Sequence, residues 1–166
     1  MRNAAIAIMA ILLVGGCTKG HSSPTSNEAP GFELKDLSGN KVSLAQFRGH
    51  PVMLDFWATW CAPCLVASPY VEAFYERHKK DGLVTLGLNV DDDPSRVYVF
   101  AKKMKISYPV LFAGDSSVPA DYGIEGFPSF VLIDPQGRAV QLFEGFGPGM
   151  PEAWEADFQH IVAKTR

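Results

Sequence analysis

Cys61 and Cys64 stand with two residues between them at the end of the stretch LDFWATWCAPC (54–64), and an acid, Asp55, interrupts the apolar run that leads up to them. Thiols at this spacing can close a structural disulfide, supply half of a metal site, or cycle between dithiol and disulfide. A zinc site needs about four ligands. The imidazoles on offer are His21, His50, His78 and His160, and none shows ligand spacing. The run Asp91, Asp92, Asp93 has no second ligand cluster and reads as a solvated helix cap rather than a calcium site.

The position of Cys61 favours redox work. Pro63 fits the first turn of a helix running to about Lys80. Cys61 then sits at the helix N-terminus, where unpaired N–H groups and the helix dipole stabilise a thiolate, the nucleophilic form. Cys64, one turn later and more buried, is the resolving thiol. Asp55 is the candidate base for Cys64, working through a water, because burial raises a carboxyl pKa toward neutrality. Two plainer readings stay open at this point, a static staple for the cysteines and a partly exposed strand acid for Asp55.

These residues need a scaffold. PVMLDFW (51–57) is a near-continuous apolar run, as in a central strand covered on both faces, and LVTLGLNV (83–90) is a second. GFELKDLSGNKVSL predicts a hairpin turning at Ser38-Gly39-Asn40. Asp93 and Pro94 predict the N-cap and first position of a helix, with Val97, Phe100, Ala101 and Met104 on its apolar face. YPVLF (108–112) is a short strand. PSFVLIDPQGRAVQLFEGF predicts two strands around an Asp134-Pro135-Gln136-Gly137 turn. A last helix from about Pro151 carries Trp154, Phe158, Ile161 and Val162 as its stripe. Parallel βαβ followed by an antiparallel hairpin predicts one mixed α/β sheet.

The 166 residues suffice for one domain with a core. Apolar content of 47% and charged content of 20% are ordinary for a globular protein. A net charge of −3 without a basic block gives nucleic-acid binding no electrostatic footprint. Arg2 precedes the run AAIAIMAILLVGG, which is too short for a permanent membrane span of about 20 residues and reads as a secretory signal. LLVGGC resembles the bacterial lipoprotein cleavage motif. That resemblance implies removal of residues 1–16 and lipidation of Cys17, and triacylation is ample for stable anchoring. The chain then carries a net charge of −4. Residues 17–30, rich in Ser, Thr and Pro, read as a flexible tether, and 31–166 as the folded domain.

DFWATWCAPC and GFPSFVLID (126–134) together resemble thioredoxin: the active-site strand and helix start, then the cis-proline segment with Pro128 at its key position. Pro69 matches the proline inside the thioredoxin active-site helix. The stretch PGFELKDLSGNKVSLAQFRGHPVMLDFW and the extra βα segment around 91–112 are similar to the TlpA/ResA-like membrane-anchored thioredoxins. The resemblance covers about residues 30–165. It implies a thioredoxin-like α/β fold with an N-terminal β-hairpin extension and a central βα insertion. It also implies a rim of Trp60 and Phe127, and a Phe127–Pro128 segment able to pair with an extended substrate strand. Two positions depart from the pattern. Ala67 stands where many such relatives carry Glu, and Gly87 where thioredoxin carries Lys beside its buried acid.

The function implied is thiol–disulfide exchange without a cofactor, reducing client disulfides in the periplasm. Apocytochrome c and metal-centre assembly proteins are typical clients, and a membrane thiol transporter of the DsbD type is the usual electron donor. The membrane is inner or outer; Thr18 after Cys17 leans to the outer. An oxidant or isomerase is the competing enzyme, and Ala62-Pro63 lacks the His that strong oxidants often place between the cysteines. A copper metallochaperone is the competing binder. It calls for a wider cysteine spacing and a distal His, and tight stoichiometric copper binding at the two sulfurs would favour it. A peroxidase lacks its Pro-x-x-x-Thr-x-x-Cys arrangement here.

Overall fold

The structure, a computed structural model, describes residues 28–164. Cys17, Thr18, the leader and most of the expected tether lie outside the described residues. The chain opens with a hairpin, β1 (Glu33–Asp36) and β2 (Lys41–Ser43). Asp36 shapes its turn by accepting the N–H groups of Ser38 and Asn40, each at 2.8 Å, and Gly39 supplies the positive φ of 85° that the turn requires. β3 (Val52–Trp57) and α1 (Ala62–His78) follow, then β4 (Val84–Asn89), α2 (Pro94–Met104) and β5 (Val110–Phe112). A single helical turn, α3 (Val118–Asp121), leads to β6 (Ser129–Ile133), β7 (Ala139–Glu144) and α4 (Met150–Ala163).

All seven strands join one sheet in the order β2-β1-β5-β4-β3-β6-β7. β3, β4 and β5 run parallel, β6 returns antiparallel beside β3, and β7 pairs antiparallel with β6 at the edge. The predicted hairpin extends the sheet at its far edge, where β1 pairs antiparallel with β5. Packing also starts earlier than the expected Gly31. Glu28 bridges to Arg138, and the Ala29 N–H donates to the Gly137 carbonyl at 3.0 Å, so the last three residues read as tether belong to the fold.

β3 is buried at every position, with partners on both sides. Its pleat sends alternate side chains to opposite faces. Val52, Leu54 and Phe56 join Leu86, Leu88, Val131 and Ile133 on one face. Met53 on the other packs with Val71 and Phe74 of α1 and with Trp154 and Phe158 of α4. Each fully buried side chain of this size contributes about 1.5–3 kcal/mol. Asp55 shares the face of Met53 and Trp57, which is the face that α1 covers.

Candidate active site

β3 ends at Trp57, and α1 begins one residue past Cys61, so strand and helix meet at the first cysteine. Cys61 is the N-cap of α1, with extended backbone (φ −85°, ψ 102°), and Pro63 lies in the first turn. The backbone N–H of Cys64 donates to Cys61 Sγ at 3.2 Å. The same N–H also reaches the Cys61 carbonyl at 3.1 Å, so a first-turn helix donor is shared between that oxygen and the sulfur that the sequence marks as nucleophile. The two cysteines are joined as a disulfide with an S–S distance of 2.05 Å. Both are buried in this oxidised form, Cys61 at 5% exposure and Cys64 at 2%, so the expected difference in burial is slight here. Pro69 lies inside α1 and is exposed.

A buried acid holds the loop between β3 and α1. Asp91 accepts the Thr59 N–H at 2.8 Å and the Thr59 hydroxyl at 2.5 Å, and Asn89 Nδ2 donates to it at 2.7 Å. This corrects the reading of residues 91–93 as one solvated cap. Asp93 does cap α2, accepting the Ser95 N–H at 2.9 Å, but Asp91 is only 8% exposed and fastens the loop two residues before Cys61. Three adjacent aspartates look alike in sequence. The partner that separates them lies 32 positions upstream.

Asp55 is 3% exposed, and its pKa is raised to about 7. Burial is the main cause, penalising the charged form. A hydrogen bond from the Tyr108 hydroxyl, at 2.9 Å to Oδ2, works in the opposite direction. Sequence reasoning left Asp55 without a companion, because Ala67 and Gly87 stand where relatives carry charged groups. Tyr108 is that companion, and the residues lie 53 positions apart, beyond any local pattern.

Trp60 is 64% exposed and meets Phe127 edge-on, with ring centroids 5.9 Å apart. Phe127 also packs on the cluster that contains both cysteines. The Phe127–Pro128 peptide is cis. The Pro128 carbonyl accepts the Gly145 N–H at 2.8 Å, which ties this segment to the end of β7. Beyond Gly145, the Phe146 ring meets Tyr70 of α1 at a tilt, centroids 5.2 Å apart, and these two with Val66 and Pro148 line an open cleft of about 500 Å³. Among the described residues, no three His, Cys, Asp or Glu side chains come together as a metal-holding group.

A sulfur pair closing the first turn of the helix that follows the central strand of a thioredoxin-like sheet defines a thiol–disulfide exchange protein. The chain belongs to the Redoxin family, whose model matches residues 24–157. It is 34% identical over 134 residues to the thiol-disulfide oxidoreductase ResA of Bacillus thuringiensis subsp. konkukian (strain 97-27), covering 81% of this chain and 78% of that one. It is 31% identical over 136 residues to ResA of Bacillus subtilis (strain 168), covering 82% and 74%. A crystal structure of a putative thiol:disulfide interchange protein DsbE from Chlorobium tepidum superposes with a TM-score of 0.78 at 30% identity, covering 82% of this chain and 96% of that one. The protein is a thiol–disulfide oxidoreductase with Cys61 and Cys64 as its Cys-x-x-Cys pair.

Proposed function

We propose that this oxidoreductase works as a reductant of client protein disulfides on the periplasmic side of a bacterial membrane, held there by lipid on Cys17. The observation that carries the chemistry is the Cys64 N–H aimed at Cys61 Sγ at 3.2 Å. In the reduced protein that helix start favours a thiolate at Cys61. The thiolate attacks one sulfur of a client disulfide, forming a Cys61–client disulfide and releasing the client's other sulfur as thiolate. Cys64 gives its proton to Asp55 through a water and attacks Cys61 Sγ. The client's second thiolate leaves, and the Cys61–Cys64 disulfide seen in this structure remains. Two electrons from a thiol donor reopen it, and a membrane transporter of the DsbD type fits that task.

Trp60, Phe127 and the cleft behind Phe146 form an apolar seat for the client segment, consistent with aromatic enrichment at recognition surfaces. With the Pro128 carbonyl taken by Gly145, pairing with an extended client strand falls to the backbone at Phe127. Disulfides such as those of apocytochrome c or metal-centre assembly proteins suit this seat. The competing reading is oxidant or isomerase.

Equilibration with glutathione buffers decides the direction. A reductant lies nearer the thioredoxin value of about −270 mV than the strong-oxidant value of about −120 mV. A potential at the oxidising end overturns the reductant reading. Cell fractionation tests the anchor. The wild-type chain goes with the membranes and Cys17→Ala with the soluble fraction, whereas an unchanged distribution removes the lipid on Cys17.

A further inference from the structure

The Tyr108 hydroxyl, which the exchange steps do not use, makes the hydrogen bond to Asp55. Tyr108 precedes β5, is 3% exposed, and donates to Asp55 Oδ2 at 2.9 Å. It is held there from two sides. Gly87 of β4 lies directly opposite Asp55 in the parallel register. A Cβ at that glycine would stand 3.0 Å from Cε2 of Tyr108 and 3.0 Å from Nε1 of Trp57. The missing side chain is therefore what lets the phenol cross β4 and reach the carboxyl. On the other side, Ser107 is fastened to α1: its N–H donates to Glu72 Oε2 at 2.9 Å and its hydroxyl to Glu72 Oε1 at 2.5 Å. Tyr75 of α1 meets the Tyr108 ring edge-on at 5.8 Å. The helix that carries Cys64 thus grips the segment that carries Tyr108.

We propose that Tyr108 is a positioning residue for the exchange reaction: its hydroxyl occupies Oδ2 of Asp55 and fixes the carboxyl plane, so that the proton from Cys64 is taken up at Oδ1. This rests on the reading of Asp55 as the base for Cys64. A donor to the carboxylate favours its ionised form, and Tyr108 accordingly opposes the upward push of burial on Asp55. The ionisable groups toward this carboxyl are few. Tyr108, from the segment before β5, is the one that acts on it directly. Glu72 of α1 acts on Tyr108, while β4 and β6 present Gly87 and Phe130 opposite Asp55. The Tyr108 hydroxyl itself is raised well above its ordinary value, first by burial and then by Asp55, so it stays protonated and acts only as a donor.

The test compares Tyr108→Phe, which keeps the ring, with Tyr75→Phe, which packs on that ring without touching Asp55. The Asp55 carboxyl is titrated by carbon NMR in the oxidised protein. Turnover of a disulfide-bonded peptide, with dithiothreitol as reductant, is followed across the same pH range. In Tyr108→Phe the carboxyl midpoint and the acid limb of turnover both move up by about one pH unit, and in Tyr75→Phe neither moves. A uniform loss of rate with an unmoved midpoint overturns the proposal. Asp55→Asn separates the two ideas. If the acid limb persists in that variant, the base assignment fails and the role of Tyr108 falls with it. If the limb is lost there but unshifted in Tyr108→Phe, only the role of Tyr108 fails.

Discussion

Client proteins accumulate as stable covalent adducts when Cys64 is replaced by Ser, and no adducts form when Cys61 is replaced instead. Both variants lose turnover to the uncatalysed rate, so the distinction between the cysteines lies in trapping. Cys61 caps α1 and receives a helix N–H on its sulfur. Cys64 sits within the first turn, at 2% exposure, behind it. A thiolate formed at the cap attacks a client disulfide, whereas the inner sulfur has access chiefly to its neighbour. Without Cys64 the mixed disulfide has no internal route to resolution. Non-reducing electrophoresis and mass spectrometry read both the adduct and its cysteine. Adducts on Cys64 in the Cys61→Ser chain, with none in the reverse variant, would exchange the two roles.

Asp55→Asn makes the folded protein more stable at pH 8, by about 4 kcal/mol, and nearly neutral in effect at pH 4. The native carboxyl titrates near 7 against a reference value of 3.8, mainly because burial penalises its charge. Below 3.8 both folded and unfolded chains hold the proton, and the acid costs the fold nothing through ionisation. Between 3.8 and about 7 the folded chain binds more protons than the unfolded one, so stability falls as pH rises. Above 7 the full penalty stands, and a neutral amide of the same shape removes it. Denaturant midpoints at the two pH values measure the effect, and an equal change at both would show that the amide acts through packing rather than charge. An acid that costs a domain a sizeable part of its usual 5–15 kcal/mol is not kept for stability. That makes proton transfer the better account of its presence.

The sequence was most readable where chemistry and local geometry coincide. Cys61, Cys64 and Pro63 mark the start of α1 within a few residues of one another, and Asp93-Pro94 marks the start of α2 in the same way. Continuous apolar runs marked the central strands, because a strand buried on both faces carries apolar side chains at nearly every position. Other features depend on partners far along the chain. The pairing of β1 with β5, the grip of Asp91 on Thr59 and the bond from Tyr108 to Asp55 link residues that no window of sequence contains. Gly87 shows the limit well. Its type could be read as a departure from thioredoxin, but its purpose is visible only once the Tyr108 ring is seen above it.

The way the chain enters the domain sets its orientation. Glu28 and Ala29 are secured to Arg138 and Gly137, in the turn after β6. The register of β6 on β3 pairs Ile133 with Val52 and Ser129 with Phe56, so this turn lies at the start of β3 and the cysteines at its end. Six residues of strand put roughly 20 Å between the two poles. Anything attached upstream of Glu28 therefore pulls on the pole opposite the sulfurs. If the chain hangs from a bilayer by its leader end, it displays the disulfide outward, and soluble clients reach it from open solvent. A donor embedded in that same bilayer meets the sulfurs only after the whole domain has rolled over. In that arrangement, the length of chain between the bilayer and Glu28 would limit how readily the sulfurs return to such a donor.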